Sequence, residues 1–250
     1  MEVRLQAAQE IMDHPRVTVT DIEARLKARH GFTIATLNLD HVVKMRRDAA
    51  FRHAYSCHSH VTADGRPIVW LSRLAGRPIE LVPGSELVEP IAAIAARQGV
   101  PVAFLGSTAE ALLQAQTELC RRLPGLQVVA RIAPPMGFDP EGAGADAAIE
   151  ELRASGARLC FLALGAPKQE LFAIRAQQAL PEAGFLSIGA GLDFIAGTQV
   201  RAPAVFRSMA AEWLWRLGSN PRRLAGRYAL CAAALPGLAV DALTSRKGRP

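Results

Sequence analysis

Hydrophobic and polar positions along this chain follow two periods, and the switch between them recurs from Gly84 onward. Short apolar runs at Val100–Leu105, Leu126–Ile132, Leu159–Leu164 and Phe185–Ile188 have the look of buried strands. Between them, Ser85–Gln98, Thr108–Arg122, Ala143–Ser155 and Lys168–Ala179 carry the spacing of amphipathic helices. Upstream, Thr20 and Asp21 are placed to cap a helix that stops near His30 at Gly31. Phe32–Leu37 reads as a strand and Leu39–Tyr55 as one amphipathic helix, and Asp64-Gly65 closes a strand or turn with Pro67 just after it. Strands and helices alternating at these lengths predict an α/β class: a parallel sheet flanked by helices on both faces.

In such sheets ligands sit at the C-terminal strand ends, where Gly106, Pro134-Pro135, Gly165 and Gly189-Ala190-Gly191 would gather. Each glycine alone reads as a tight turn; together they favour a nucleotide crevice. The run Leu162–Glu170 is the most specific of these ends. Its strand stops at Gly165, Pro167 stands where a helix would begin, and Lys168, Gln169 and Glu170 fall in the first turn. Gly189-Ala190-Gly191 has Phe194 at the place of the third dinucleotide-binding glycine, so a nicotinamide-dinucleotide signal is weak.

Charge divides the chain. Residues 1–195 hold 20 Lys and Arg against 21 Asp and Glu, whereas residues 196–250 hold 9 against 2, so the net +6 resides in the tail. Two parts are therefore expected: an α/β core over 1–195 and a basic, apolar, helical C-terminal appendage over 196–250. The tail interleaves arginine with aromatic and aliphatic residues, at Glu212-Trp213-Leu214-Trp215-Arg216-Leu217, Pro221-Arg222-Arg223-Leu224 and Arg227-Tyr228. An apolar segment then runs to Val240 and reads as broken at Pro236-Gly237 and too short to span a bilayer. This mixture suits an anionic membrane interface better than nucleic acid; the bland alternative is a C-terminal helix docked through Trp213 and Leu217. An apolar tail also suits homo-oligomer formation. No signal peptide opens the chain, and no run of about 18 uncharged apolar residues predicts a spanning helix. The four cysteines show no paired spacing, and Cys120 and Cys160 read as small core residues of a reducing cytoplasm.

Few residues offer chemistry. Asp64, with small neighbours Ala63 and Gly65, reads either as an Asp-Gly turn or as a general base at a strand end. Thr36 and Asn38 alternate across Leu37 and would offer a hydroxyl and an amide on one side, or be plain edge residues. Cys57, His58 and His60 supply at most a pair of metal ligands. No Asp-x-Asp, Walker loop or Gly-x-Ser-x-Gly occurs. No cofactor and no metal are expected.

From about Thr33 to Tyr228 the chain resembles glycosyltransferase family 26, the bacterial WecG/TagA/CpsF group. The matching residues are Thr36-Leu37-Asn38, Asp64-Gly65, Gly84, Pro167-Lys168-Gln169-Glu170, Gly189-Ala190-Gly191-Leu192-Asp193-Phe194, Ala196-Gly197 and Arg201-Ala202-Pro203, and in the tail Glu212-Trp213-Leu214, Arg216-Leu217, Pro221, Arg223-Leu224 and Arg227-Tyr228. The resemblance implies a Rossmann-like core and a membrane-reaching appendage that helps close the site. It implies inverting, metal-independent transfer from a UDP-sugar to a lipid-diphosphate-linked saccharide, by a cytoplasmic enzyme associated peripherally with the inner face of the plasma membrane. By motif, Asp64 would be the general base, and Thr36, Asn38 and Gln169 would position sugar and acceptor. Asp193, Lys168, Gly106, Gly165 and Gly189 would hold the nucleotide, and Arg216, Arg223 and Arg227 would face diphosphates. The family usually carries an arginine where this chain has Leu81, so that arginine is either missing here or replaced, with nearby Arg77 the candidate. Two other readings stand beside this one: a Rossmann NAD-dependent oxidoreductase, and a non-catalytic nucleotide-sugar-binding protein of a polysaccharide assembly.

Overall fold

The computed structural model describes residues 18–203, 212–219 and 221–247. The first half of the described chain runs α1 (Val19–Ala28), β1 (Phe32–Leu37), α2 (Leu39–Met45), α3 (Ala49–Cys57), β2 (His60–Ala63), α4 (Arg66–Leu74), α5 (Gly84–Gln98), β3 (Val102–Gly106) and α6 (Ala109–Arg122). It continues through β4 (Val128–Ile132), α7 (Ala143–Ser155), β5 (Leu159–Ala163), α8 (Lys168–Ala179), β6 (Gly184–Ser187), α9 (Gly191–Ala196), α10 (Glu212–Ser219) and α11 (Pro221–Lys247).

All six strands form one parallel sheet in the order β2-β1-β6-β5-β3-β4. The α/β class with a Rossmann-like parallel sheet is therefore the observed architecture. Side chains alternate across each strand, so neighbouring residues feed different layers. Ile34, Phe104, Phe161 and Leu186 pack with α1, α5, α6 and α9 on one face. Phe185, Cys160 and Leu162 pack with α7 and α8 on the other, where Ala35, Leu37 and Val61 meet α2, α3 and α4. Near-continuous apolar strands are what burial on both faces demands.

Several boundaries differ from expectation for local reasons. Thr18, rather than Thr20 or Asp21, caps α1, its Oγ1 accepting from the Asp21 N–H at 3.0 Å. The single helix expected over Leu39–Tyr55 is two, because Asp48 caps a fresh start through the Phe51 N–H at 2.9 Å. Asp64-Gly65 does mark a turn, but α4 follows at once; Pro67 lies in its first turn, where a missing N–H leaves no gap.

The tail brings the largest correction. Pro236-Gly237 does not break it: α11 is continuous over 27 residues. Leu224, Cys231, Leu238 and Ala242 form a buried stripe at helical spacing on both sides of the proline, and α11 packs on α4 and α2 through it. That packing outweighs the break a proline imposes in an isolated helix. Leu224–Arg246, at mean hydropathy 1.4, is long and apolar enough to cross a membrane by length and composition, with 17% of the window buried.

Candidate functional site

Chain direction reverses twice across the sheet, and both reversals open at the C-terminal strand edge. After β3 the chain moves outward to β4, while after β5 it moves inward to β6. Their ends at Gly106 and Ala163 remain paired and tightly apposed. A Cβ on Gly106, whose φ is +115°, would lie 2.4 Å from the Ala163 carbonyl oxygen, and the Ser107 N–H donates to that oxygen at 3.1 Å. Gly106→Ala must push two strand ends apart, a cost of about 1–3 kcal/mol. The expected outcome is a thermal midpoint several degrees lower by calorimetry; an unchanged midpoint would remove this packing argument.

Along the same edge, Gly84 opens α5 against β1 and β6, where a Cβ would meet Thr36 Cγ2 at 2.9 Å and Ile188 Cα at 3.1 Å. Gly165 leads into the turn after β5, and Gly189 opens the turn after β6, both at positive φ. Lys168 stands half-buried at the first position of α8, beside these turns. The N-termini of α5, α6 and α8 thus approach one edge, with the partial positive charge that suits phosphate oxygens.

Asp193, in the short α9 after β6, reaches across to the β3 end. Ser107 Oγ donates to its Oδ1, and Gln199 Nε2 to its Oδ2 at 3.0 Å. Ser107 and Gln199 were not anticipated; no motif signals them, and only the fold brings them to Asp193. Arg201 closes this corner from behind, its Nη2 2.9 Å from Ser85 Oγ and its guanidinium over the Phe194 ring.

Asp64 sits half-buried immediately after β2, at the same sheet edge. Its N–H donates to the Leu37 carbonyl at 2.7 Å, which fixes it beside the end of β1. Thr36 is buried, and its hydroxyl donates to the Ser187 carbonyl at 3.2 Å, locking β1 to β6. Asn38 caps α2 by accepting from the His41 N–H at 3.1 Å. The hydroxyl and the amide expected to face one side are thus both engaged in holding the strand end.

Gln169 is buried as well. Its Oε1 accepts from the Gly189 N–H at 3.2 Å and its Nε2 donates to Glu170 Oε1 at 2.8 Å. Below it lies a polar cluster that sequence reading missed. Burial holds His41 neutral, its pKa lowered to about 3. Tyr55 donates to the Thr36 carbonyl at 3.2 Å, which leaves the neutral His41 to donate from Nδ1 to the Tyr55 oxygen at 2.6 Å. Burial, and then the Glu170 and Asp64 carboxylates, push the Tyr55 phenol well up. Burial likewise raises Glu170, to about 7. Lys44 donates to the Ala166 carbonyl at 3.2 Å and pairs with Asp40 at 2.9 Å.

Arg227 of α11 reaches the same Asp40 at 3.6 Å, so the tail is tied to the helix that leaves β1. Arg216 and Arg223 lie on α10 and α11, but their side chains fall outside the described residues. His58 Nδ1 lies 2.7 Å from the Ala54 carbonyl and His60 Nε2 2.9 Å from Asp21 Oδ2, so the two rings serve different partners. Among the described residues no three His, Cys, Asp or Glu side chains converge to hold a metal.

Beyond Asp64, an open groove of about 330 Å3 runs between α4 and the segment 79–81, lined by Arg66, Trp70, Arg73, Ile79, Glu80 and Leu81. Leu81 bridges to Ala63 at the sheet edge. Arg66 and Arg73, rather than Arg77, are the guanidinium-bearing residues that line the groove beside it.

The family model for the glycosyl transferase WecG/TagA/CpsF family matches residues 10–249. The chain belongs to this family, and is an enzyme of the glycosyltransferase class that serves cell-surface polysaccharide synthesis. The family uses nucleotide-sugar donors and lipid-linked acceptors. Membership of this family speaks against the NAD-dependent reading of Gly189-Ala190-Gly191 and against the non-catalytic reading that rested on Leu81.

Proposed function

We propose that this enzyme moves a sugar from a UDP-sugar, of the UDP-N-acetylmannosamine type or UDP-glucose, to a polyprenyl-diphosphate-linked saccharide, with inversion and without metal. The observation that carries this reading is the position of Asp64: a half-buried carboxylate at the β2 end, at the same strand edge as the turns of Gly106, Gly165 and Gly189. In this reading UDP lies over those turns, its diphosphate answered by helix N-termini and Lys168, with Asp193 on the nucleoside. The acceptor enters past the Arg66–Trp70–Arg73 groove. Its hydroxyl oxygen attacks the anomeric carbon as the bond to UDP breaks, and Asp64 takes the proton. The absence of any Asp-x-Asp from the sequence supports charge stabilisation by the protein itself.

Thr36, Asn38 and Gln169 contribute in this scheme by fixing the strand ends around donor and acceptor. The segment 196–250 acts as an appendage to the core over 1–195. Arg227, with Arg216 and Arg223, brings positive charge toward the acceptor's diphosphate. Trp213, Leu214, Leu230, Val240 and Leu243 are exposed apolar residues of α10 and α11, and Trp70 and Leu74 are exposed on α4, against which α11 packs. Aromatic and aliphatic groups interleaved with arginine suit peripheral binding at the inner face of the plasma membrane.

A mass-spectrometric screen of UDP-sugars against a polyprenyl-diphosphate saccharide tests the reading: one sugar added, with UDP released, is the expected result. UDP-sugar binding without transfer to any such acceptor would refute it. Within this scheme Asp193→Ala weakens UDP by about 10–100-fold, the worth of a hydrogen bond to a charged group. Titration calorimetry reads it directly, and unaltered UDP affinity would take Asp193 out of the nucleotide site.

A further inference from the structure

Glu170 is fully buried, on the first turn of α8, and its Oε2 has no hydrogen-bond partner among the described residues. Ser187 Oγ, at the end of β6, is the same. The Ser187 side chain projects to the sheet face that Phe185 shares with α8. A fully buried carboxyl cannot touch a substrate, yet its other oxygen holds Gln169, and Gln169 holds the Gly189 N–H. An unpaired buried oxygen costs about 1–3 kcal/mol, and much more if it carries charge. Its retention here calls for a role.

We propose that Glu170 is a positioning residue for sugar transfer: through Gln169 it fixes the Gly189 turn, and it does so as the uncharged acid. The inference rests on the proposed placing of the donor over that turn.

The groups around Glu170 give the effect its direction. Lys44 and His41 face it from α2 and Tyr55 from α3, with Asp64 acting on the same Tyr55 phenol. Thr36 and Ser187, on β1 and β6, do not titrate. His41 Nδ1 is 4.0 Å from Glu170 Oε1, but the ring is neutral, so it gives a carboxylate no ion pair. Among the described residues the cation acting on Glu170 is Lys44, whose ammonium now holds the Ala166 carbonyl and Asp40; the Gln169 amide and the residue's own backbone N–H also favour the ion, but burial outweighs all three. An ionised Glu170 draws Lys44 away from both, loosening the Asp40 carboxylate that Arg227 reaches and the Gly165–Pro167 turn that sets the start of α8, from which Gln169 reaches the Gly189 N–H. Burial supports the uncharged form, holding the acid's pKa near 7.

The sign of the pH dependence follows. Stability and turn order are complete below the ordinary carboxylate range and fall as pH rises through about 7. Glu170→Gln keeps the shape and the uncharged state. Lys44→Met removes one of the attractions that favour the ion, so it moves the transition to higher pH.

Two measurements on the full-length protein between pH 5.5 and 8.5 decide the matter. The first is hydrogen exchange of the Gly189 amide, corrected for its intrinsic pH dependence. Protection should fall about tenfold across pH 7 in the wild type, stay level in Glu170→Gln and fall later in Lys44→Met. The second is the transfer rate at saturating donor, where kcat should show the same limb in the wild type and lose it in Glu170→Gln. Equal pH dependence of protection in wild type and Glu170→Gln overturns the proposal. So does a kcat limb near pH 7 that survives in Glu170→Gln. A protein that shows the exchange behaviour but transfers no sugar at any pH overturns the donor-site reading, while the buried clamp itself stands.

Discussion

Asp64→Asn lowers sugar transfer by at least about 10²–10⁴-fold while UDP affinity stays within about twofold. Asparagine copies the shape of the carboxylate and leaves the backbone bond from residue 64 to the Leu37 carbonyl in place. It cannot accept the proton that the attacking hydroxyl must lose. The change therefore removes an interaction needed only in the transition state, which falls on kcat rather than on donor binding. Radiolabelled transfer and titration calorimetry with UDP, on the same preparation, separate the two. Loss of both in equal measure would make Asp64 a structural residue of the β2 turn.

The second large effect concerns the tail. Truncation after Ala196 is expected to release the protein from anionic vesicles and to stop turnover. Because Leu224, Cys231, Leu238 and Ala242 are buried, truncation also strips cover from α4 and α2. A cleaner version places aspartate at Leu230, Val240 and Leu243, all exposed. Each change removes an apolar side chain worth about 1.5–3 kcal/mol on burial and adds an anion facing anionic lipid. Vesicle binding should fall at least about 100-fold, and transfer to a membrane-embedded acceptor with it. Transfer to a water-soluble, short-chain acceptor should survive. Vesicle binding unchanged by all three substitutions would strip α11 of its membrane role.

What could be read in advance tracked how local each signal was. β1 and α8 were legible to the residue, because a short run of apolar residues and threonines after Gly31 and a Gly-x-Pro boundary are local features. Leu39–Tyr55 was misjudged as one helix because Asp48, the capping residue that divides it, is also acceptable within a polar helix face. α11 was misjudged the other way: Pro236-Gly237 is a break by local rules, and only the stripe packed on α4 and α2 holds the helix through it.

The site divides along the same line. Asp64, Thr36, Asn38, Gln169 and Asp193 stand out by motif, and the fold gathers all of them at one sheet edge. Their partners were illegible, since Ser107 lies 86 positions from Asp193, and Lys44 lies 122 from Ala166. His41 and Tyr55 looked like ordinary helix residues. Burial between β1, α2 and α3 is what turns them into a hydrogen-bonded chain ending on the Thr36 carbonyl.

The most direct test of the whole scheme is a crystal structure with UDP bound. It should show the diphosphate across the turns at Gly106, Gly165 and Gly189, with its terminal phosphate a single sugar's width from the Asp64 carboxylate. UDP seated away from those turns, with no room for a sugar to span the gap to Asp64, would contradict it.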